Sequence, residues 1–237
     1  MSKLAVIMGN QLYPREYLPE PGAASVLMVE DARLCGRHRY HQQKLGFVIS
    51  AMREYAASLE QAGYEVIYRD LGAGKNLCQQ VVSVAQQRDV DEIVAFVPAN
   101  AGQRQYLNIT TQKANRPLAW LQDPMFLTPE ADLACLSKTH PRMSSFYQGQ
   151  RRRLDLLMAG TEPLGGKWSF DADNRKALPA QQAIAEIPEP SHGPITRVAL
   201  QQIEAAYPDH IGAASKLWLP TTRAGALAHL DAFVHEL

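Results

Sequence analysis

The sequence predicts an α/β fold, with a doubly wound, five-stranded parallel sheet followed by a helical and linker region. Two observations support this prediction: short apolar runs recur along the first half of the chain, and helical patterns separate them. The runs are residues 4–9, 25–30, 64–70, 92–98 and 118–122. Runs of this length are typical of strands buried on both faces, and strands that alternate with helices join through right-handed crossovers into a parallel sheet.

The segments between the runs show apolar residues at helical spacing. The clearest pattern predicts a helix from His41 to Ala62, which Gly63 ends. Two further helices are predicted over Asn76–Arg88 and Gln103–Ala114. Each helix follows a predicted strand, as crossover connections require.

The second half of the chain has a different organisation. A helix-rich region begins at Met143, four prolines within residues 178–195 indicate a linker, and Thr221 or Thr222 caps a final helix. We therefore expect an α/β domain over 1–140, a helix with an inter-domain linker over 141–220, and a last helical segment over 221–237.

Composition excludes several classes of protein. The chain is 46% hydrophobic and 20% charged, which is typical of a globular protein, and its 24 basic residues balance its 24 acidic ones, so net charge indicates neither nucleic-acid nor membrane binding. Cys35, Cys78 and Cys135 are too widely spaced for a disulfide framework or a metal site. We find no signal peptide or membrane-spanning stretch and expect a cytoplasmic protein with no membrane partner.

Familiar catalytic motifs are also absent from the sequence. The segment Gly72–Asn76 resembles a phosphate loop, but Arg69 and Asn76 stand where that motif requires a glycine and a hydroxyl. We find no GxGxxG after the first strand, no GxSxG and no HExxH. Composition and motifs therefore leave open whether the chain is an enzyme.

Polar residues gather where the first two predicted strands end. Gly9, Asn10 and Gln11 follow the first strand, and Glu30 and Asp31 follow the second. Ligands bind beyond the carboxyl ends of the strands in open parallel sheets, so these residues are candidates for a binding site.

The helix that follows the second strand adds two further candidates. On a helical wheel His41 and Lys44 lie with Leu45, which predicts that both face the sheet. A lysine in the first turn opposes the helix dipole and needs compensation, for which Glu30 or a ligand is the candidate. From the spacing alone, a salt bridge that only joins helix and strand is the favoured explanation.

A basic and aromatic segment lies further along the chain. Arg151, Arg152 and Arg153 point about 100° apart on a helix, so they form no single patch. The GGKWSFD segment that contains Lys167 and Trp168 is typical of an ordered loop after a glycine turn.

Three motifs of this chain resemble a known family. GNQL at Gly9–Leu12 is similar to the GDQL of bacterial photolyase-related proteins, and VED followed by YHQQKL and SAMR is similar to their second motif. The FYQGQRRRLDLLMAGTEPLGGKWSFDADNR stretch at residues 146–175 resembles a third, in the same order. The family comprises the iron–sulfur bacterial cryptochromes and (6-4) photolyases of the cryptochrome/photolyase group.

The resemblance implies a Rossmann-like antenna domain that binds 6,7-dimethyl-8-ribityllumazine or a similar chromophore. It implies FAD and a 4Fe-4S cluster in a C-terminal domain of the same protein, which we expect this chain to lack, and damaged DNA as a partner of the full protein. The chain alone is then expected to be non-catalytic. The implied chromophore residues are Gly9, Asn10, Gln11, Glu30, Asp31, His41 and Lys44.

Two details of the resemblance affect these expectations. Asn10 replaces the acidic residue of GDQL, which alters the hydrogen bonds offered to a heterocycle. Contacts with DNA or between domains are implied for Arg151, Arg152, Arg153, Lys167 and Trp168. The alternative function is a free-standing small-molecule or nucleotide-binding α/β protein or enzyme.

Overall fold

The central element is a five-stranded, fully parallel sheet in the order β3-β2-β1-β4-β5. Its strands are β1 (Lys3–Ile7), β2 (Ser25–Val29), β3 (Val66–Arg69), β4 (Glu92–Phe96) and β5 (Leu118–Leu121). This confirms the predicted sheet, although each strand ends one or two residues before the apolar run does. The last residues of each run begin the loops at the carboxyl edge.

The computed structural model describes residues 2–133, 142–177, 179–181 and 191–236. They form two units: one contains the described residues up to Pro124 and from 191 onward, and the other those from Met125 to 181. Cys135 and much of the predicted linker lie outside the described residues. Within the described parts, none of the helices has the length and apolar character needed to cross a membrane.

Eight α-helices lie in the described residues. They are α1 (Ala32–Cys35), α2 (Gln42–Gln61), α3 (Leu77–Gln87), α4 (Ala101–Ala114), α5 (Glu130–Leu133), α6 (Met143–Leu154), α7 (Pro194–Ala206) and α8 (Arg223–Glu236). The three helices predicted between strands are confirmed within two residues, and Gly63 follows α2 with a φ of +86°.

The sheet is covered on both faces. One face, with Ile7 and Met28, packs against α2, and α7 packs on α2. The other face, with Val6 and Leu27, packs against α3 and α4. Alternate strand residues therefore supply two separate apolar cores, as expected for a doubly wound sheet.

Helix α7 was not predicted from the sequence, which indicated only an inter-domain linker in this part of the chain. Pro194 lies at the start of this helix, where a missing N–H is tolerated. Leu200 packs so closely on α2 that a Cβ at Gly46 would lie 2.6 Å from it. The buried residues at helical spacing are Thr196, Ala199, Leu200 and Ile203.

Helix α8 begins as predicted, because the Thr222 hydroxyl accepts a hydrogen bond from the Gly225 N–H at 3.1 Å. Its large apolar side chains are at least half exposed: Leu227, Leu230, Phe233 and Val234. They lie within about 120° of the helix circumference. These four side chains therefore remain largely accessible to solvent among the described residues.

Candidate functional site at the carboxyl edge of the sheet

The order of the strands defines where a ligand would bind. From β1 the chain continues to β2 and β3 on one side, and then returns to the other side of β1 for β4 and β5. The switch point therefore lies between the carboxyl ends of β1 and β4, and open parallel sheets bind ligands at such points. The sequence analysis centred the site on β1 and β2, so the strand order shifts the centre by one strand and retains the loop after β1.

Gln11 connects the two strands at the switch point. Its side chain is 2% exposed, and its amide nitrogen donates to the Phe96 carbonyl, the last of β4, at 3.2 Å. Because that nitrogen must be the donor, the other amide atom is the acceptor Oε1. Within the described residues, Oε1 is buried without a hydrogen-bond partner. A buried acceptor in this state costs about 1–3 kcal/mol, which a ligand or water donor would recover.

Gly9 and Asn10 precede this glutamine in different environments. A Cβ at Gly9 would lie 2.7 Å from the Met52 sulfur, so glycine is needed here for α2 to approach β1. Asn10 is exposed and lies in the loop after β1, beside the switch point. Of the three predicted residues, Asn10 and Gln11 offer polar atoms and Gly9 supplies space for α2.

Tyr13 adds an aromatic wall that the sequence analysis did not identify. Its ring stands edge-on to Phe96 with centroids 4.9 Å apart. Its hydroxyl donates to Asp123, which follows β5, at 2.9 Å. Burial and this carboxylate raise the pKa of Tyr13. Tyrosine in a loop after GNQL carries no sequence signal of its own, so only the fold could reveal it.

Glu30 is fully engaged in a buried network. Its carboxylate accepts two hydrogen bonds from the Arg53 guanidinium, at 2.6 and 2.9 Å, one from the Tyr68 hydroxyl at 2.6 Å and one from the Leu71 N–H at 3.0 Å. Burial opposes the charge on Arg53, but Glu30 and Tyr68 outweigh it, so the pKa of Arg53 is raised. Burial, followed by Glu30, raises the pKa of Tyr68. The Glu30–Arg53 pair, together with Tyr68, therefore links the end of β2 to α2 and β3.

Asp31 supports two helix starts. One carboxylate oxygen accepts from the Leu34 N–H in α1 at 3.1 Å, and the other from the Leu77 N–H in α3 at 3.0 Å. These N–H groups have no partner within their own helices, and a carboxylate is favourable beside them. Both carboxylate oxygens of Asp31 accept hydrogen bonds within the protein, as do those of Glu30.

His41 and Lys44 do not face the sheet, so that prediction was wrong. Both are exposed. The ring of His41 packs against Gly212, and the Lys44 ammonium lies 4.8 Å from the centre of the Tyr40 ring. Arg53 rather than Lys44 is therefore the partner of Glu30, and the aromatic ring supplies the compensation that Lys44 needs.

The smaller unit holds the arginine triplet. The side chain of Arg151 is buried and donates to the carbonyls of Leu156, Leu157 and Trp168. Gly165 and Gly166, with φ of +77° and +71°, form the predicted glycine turn, and β6 (Met158–Ala159) pairs with β7 (Glu162–Pro163) just before it. Arg151 thus holds this loop in place.

The two neighbouring arginines have different environments. Arg152 is exposed, with its guanidinium 4.5 Å from the centre of the Trp168 ring. Arg153 donates to the Leu127 carbonyl at 2.6 Å and pairs with Asp132 at 3.5 Å. The expected absence of a single patch is confirmed. Lys167 is exposed beside Trp168.

Comparison with known proteins gives these features a context. The family model of deoxyribodipyrimidine photo-lyase-related proteins matches residues 5–218. A (6-4) photolyase of Agrobacterium fabrum is 27% identical over 248 aligned residues, covering 100% of this chain and 48% of that protein. An uncharacterized protein of Acanthamoeba polyphaga mimivirus is 28% identical over 191 aligned residues, covering 76% of this chain and 96% of that protein.

The family match covers most of the chain, including the sheet, the loop after β1 and the arginine segment. The chain spans about half the length of the (6-4) photolyase that it matches. It belongs to the family of deoxyribodipyrimidine photo-lyase-related proteins.

Proposed function

We propose that this chain is the chromophore-binding, light-harvesting part of a photolyase-like or cryptochrome-like flavoprotein that acts on damaged DNA, with FAD and an iron–sulfur cluster held by a further domain. Membership of the photolyase-related family and the likeness to a (6-4) photolyase support it. When bound, an antenna chromophore such as 6,7-dimethyl-8-ribityllumazine supplies absorption of light and transfer of the excitation to a flavin. The residues of this chain hold and orient it.

The observation that carries the proposal is the unpartnered acceptor of Gln11 at the switch point. A lumazine ring carries an imide N–H and carbonyl groups on one edge, so its N–H matches Gln11 Oε1 and its carbonyls match donors such as the Asn10 amide. Tyr13, which is partly exposed, offers aromatic surface beside these groups, and the fully buried Phe96 supports its ring. Few placed polar groups among apolar walls are typical of sites for flat heterocycles.

The other predicted site residues take supporting roles in this proposal. Glu30 and Asp31 fix β2, α1, α2 and α3 around the edge of the sheet, while His41 and Lys44 lie on the exposed start of α2. Arg152 and Lys167 are the exposed cations we assign to contact with DNA phosphate or another domain.

The test is a fluorescence titration of the purified chain with 6,7-dimethyl-8-ribityllumazine. We expect saturable binding that Gln11→Met weakens roughly tenfold, because an unsatisfied imide N–H costs about 1–3 kcal/mol. Gln86→Met, which replaces an exposed glutamine on α3, should bind like the wild type. Absence of binding, or equal affinity of Gln11→Met with an unchanged melting temperature, would contradict the proposal.

A free-standing small-molecule or nucleotide-binding protein is the second candidate. The mimivirus relative favours it, because 96% of that protein aligns with this chain and so no large further domain accompanies the match. The same titration with ATP and FMN separates the two functions. Binding of a nucleotide in preference to lumazine would favour the second.

A further inference from the structure

A cavity of ≈ 410 Å³, open to solvent on one side, lies between α2, the start of α7 and α8. One wall is Glu54 of α2, and the next is the segment Ser191–Gly193 that leads into α7. The third wall is one face of α8. None of the residues assigned to chromophore or DNA contact lines this cavity, so it is a separate site.

Glu54 gives the cavity a negative charge. One carboxylate oxygen accepts a hydrogen bond from the Thr196 hydroxyl at 2.8 Å, and that hydroxyl lies 2.7 Å from the hydroxyl of Thr221. No lysine or arginine lines the cavity, and within the described residues no cation pairs with Glu54. The helix dipole places about half a positive charge at the start of α7, beside Glu54, and this offsets only part of the carboxylate charge. The carboxylate therefore retains net negative charge.

His192 adds an imidazole ring to the same wall. Its Nε2 lies 2.9 Å from the Leu217 carbonyl, which can only accept, so Nε2 carries the proton and donates. In the neutral ring the other nitrogen, Nδ1, is then an acceptor. A carboxylate and an imidazole acceptor in one cavity favour a ligand that is both cationic and rich in N–H donors.

The α8 wall is made of small residues. Gly225, Ala228 and Ala232 lie within about 60° of the helix circumference and face the cavity, while the large apolar residues of α8 face outward. Side chains the size of leucine on the inner face would fill the space. The distribution of small and large residues on α8 therefore keeps the cavity open and gives it an apolar side.

We propose that this cavity binds a small monoalkyl guanidinium, with the planar cation on Glu54 and the alkyl chain along Gly225, Ala228 and Ala232. A guanidinium presents several N–H donors in a fork that matches a carboxylate, and the apolar wall accepts a short hydrocarbon chain. The proposal is independent of the chromophore site.

The test uses 1-butylguanidinium as the ligand and butylurea, its neutral analogue of similar shape, as the control ligand. Amide NMR signals of Gly193, Thr222 and Gly225 are expected to shift and saturate with butylguanidinium only. Glu54→Gln keeps the acceptor for Thr196 and removes the charge, so affinity should fall about tenfold or more. Glu60→Gln, the same change at an exposed position of α2, should leave affinity unchanged.

A second variant separates loss of binding from loss of fold. Ala228→Leu fills the cavity and leaves Glu54 in place, so it should abolish the shifts without lowering the melting temperature by more than a few degrees. Equal shifts with butylurea, wild-type affinity in Glu54→Gln or in Ala228→Leu, or no saturable shifts at all would overturn the proposal.

Discussion

The first turn and the middle of α2 each carry a cation, and the two cations lie in different environments. Lys44, in the first turn, is exposed and lies over the Tyr40 ring. Arg53, nine residues later, has a side chain that is 14% exposed and binds the fully buried carboxylate of Glu30. From the sequence, Lys44 in the first turn was expected to face the sheet, with Glu30 or a ligand as its partner. The comparison shows that the alignment of a helix against its sheet decides which residue reaches a strand end.

The lengths of the elements explain the difference. The 20 residues of α2 extend about 30 Å, whereas the five residues of β2 extend about 17 Å, so part of the helix must project beyond the sheet. Nine residues separate Lys44 from Arg53 by about 13 Å along the axis. The start of α2 is supported instead by the segment that follows α7, through Gln42 and His41.

Replacing each cation by methionine tests this comparison most strongly. Arg53→Met leaves Glu30 buried with only two neutral donors, and uncompensated buried charge costs about 3–5 kcal/mol. Lys44→Met removes only an exposed contact with a ring and should change stability by about 0.5 kcal/mol or less. Urea unfolding of the two variants measures both values.

An equal loss of stability in the two variants would show that the first turn is held as firmly as the middle. Glu30→Gln serves as a further check, because it removes the charge from the other side of the pair. It should destabilise the wild type strongly and the Arg53→Met variant much less, since the two positions are coupled.

Local signals in the sequence were sufficient for the strands, for the starts of α2 and α3 within one residue, for the cap of α8 and for the glycine after α2. Each depends on neighbouring residues alone. The partner of Glu30 depends on how far α2 projects, which no local pattern specifies. The unpartnered oxygen of Gln11 depends on the pairing of β1 with β4, which join residues about 90 positions apart.

Helix α7 shows that prolines in a sequence can obscure a helical pattern. Its buried residues have helical spacing, but the four prolines of residues 178–195 favoured a linker, and Pro194 was counted among them. A proline in the first turn of a helix is compatible with helix formation. Leu227 and Phe233 on α8 show the same limit of local patterns: their helical spacing predicts an apolar face, and only the packing shows that this face is exposed.

A smaller effect is expected where the projecting start of α2 is supported. The Gln42 side chain is 5% exposed, donates to the Tyr207 carbonyl at 3.0 Å and accepts from the Ala214 N–H at 3.2 Å. Gln42→Met removes both bonds and leaves buried groups unsatisfied, so the free energy of unfolding should fall by about 1–3 kcal/mol.

The adjacent Gln43 provides the matched control for this prediction. It makes one side-chain hydrogen bond, to the Lys216 carbonyl at 2.9 Å, in an exposed position. Gln43→Met should cost less than about 1 kcal/mol, because water replaces that bond. Hydrogen exchange of residues 207–216 should accelerate in Gln42→Met only. Equal exchange in both variants would contradict the conclusion that Gln42 joins the start of α2 to this segment.

The last effect, which is absent at neutral pH, concerns Cys35, at the end of α1 close to Glu30 and Asp31. Burial, followed by the charges of Glu30 and Asp31, raises the pKa of the Cys35 thiol to about 11, and a hydrogen bond with Tyr207 opposes the shift. The native state therefore keeps its proton when the unfolded state has lost it near pH 9. Since the native state then binds more protons, stability should fall as pH rises from about 9 to about 11. Thiolate absorbance at about 240 nm, in a background with Cys78→Ser and Cys135→Ser, should show a native midpoint near 11 that Lys44→Met leaves unchanged. A native midpoint at the ordinary value near 9 would mean that Cys35 is open to water and that the start of α2 is less firmly supported than Gln42 and His41 indicate.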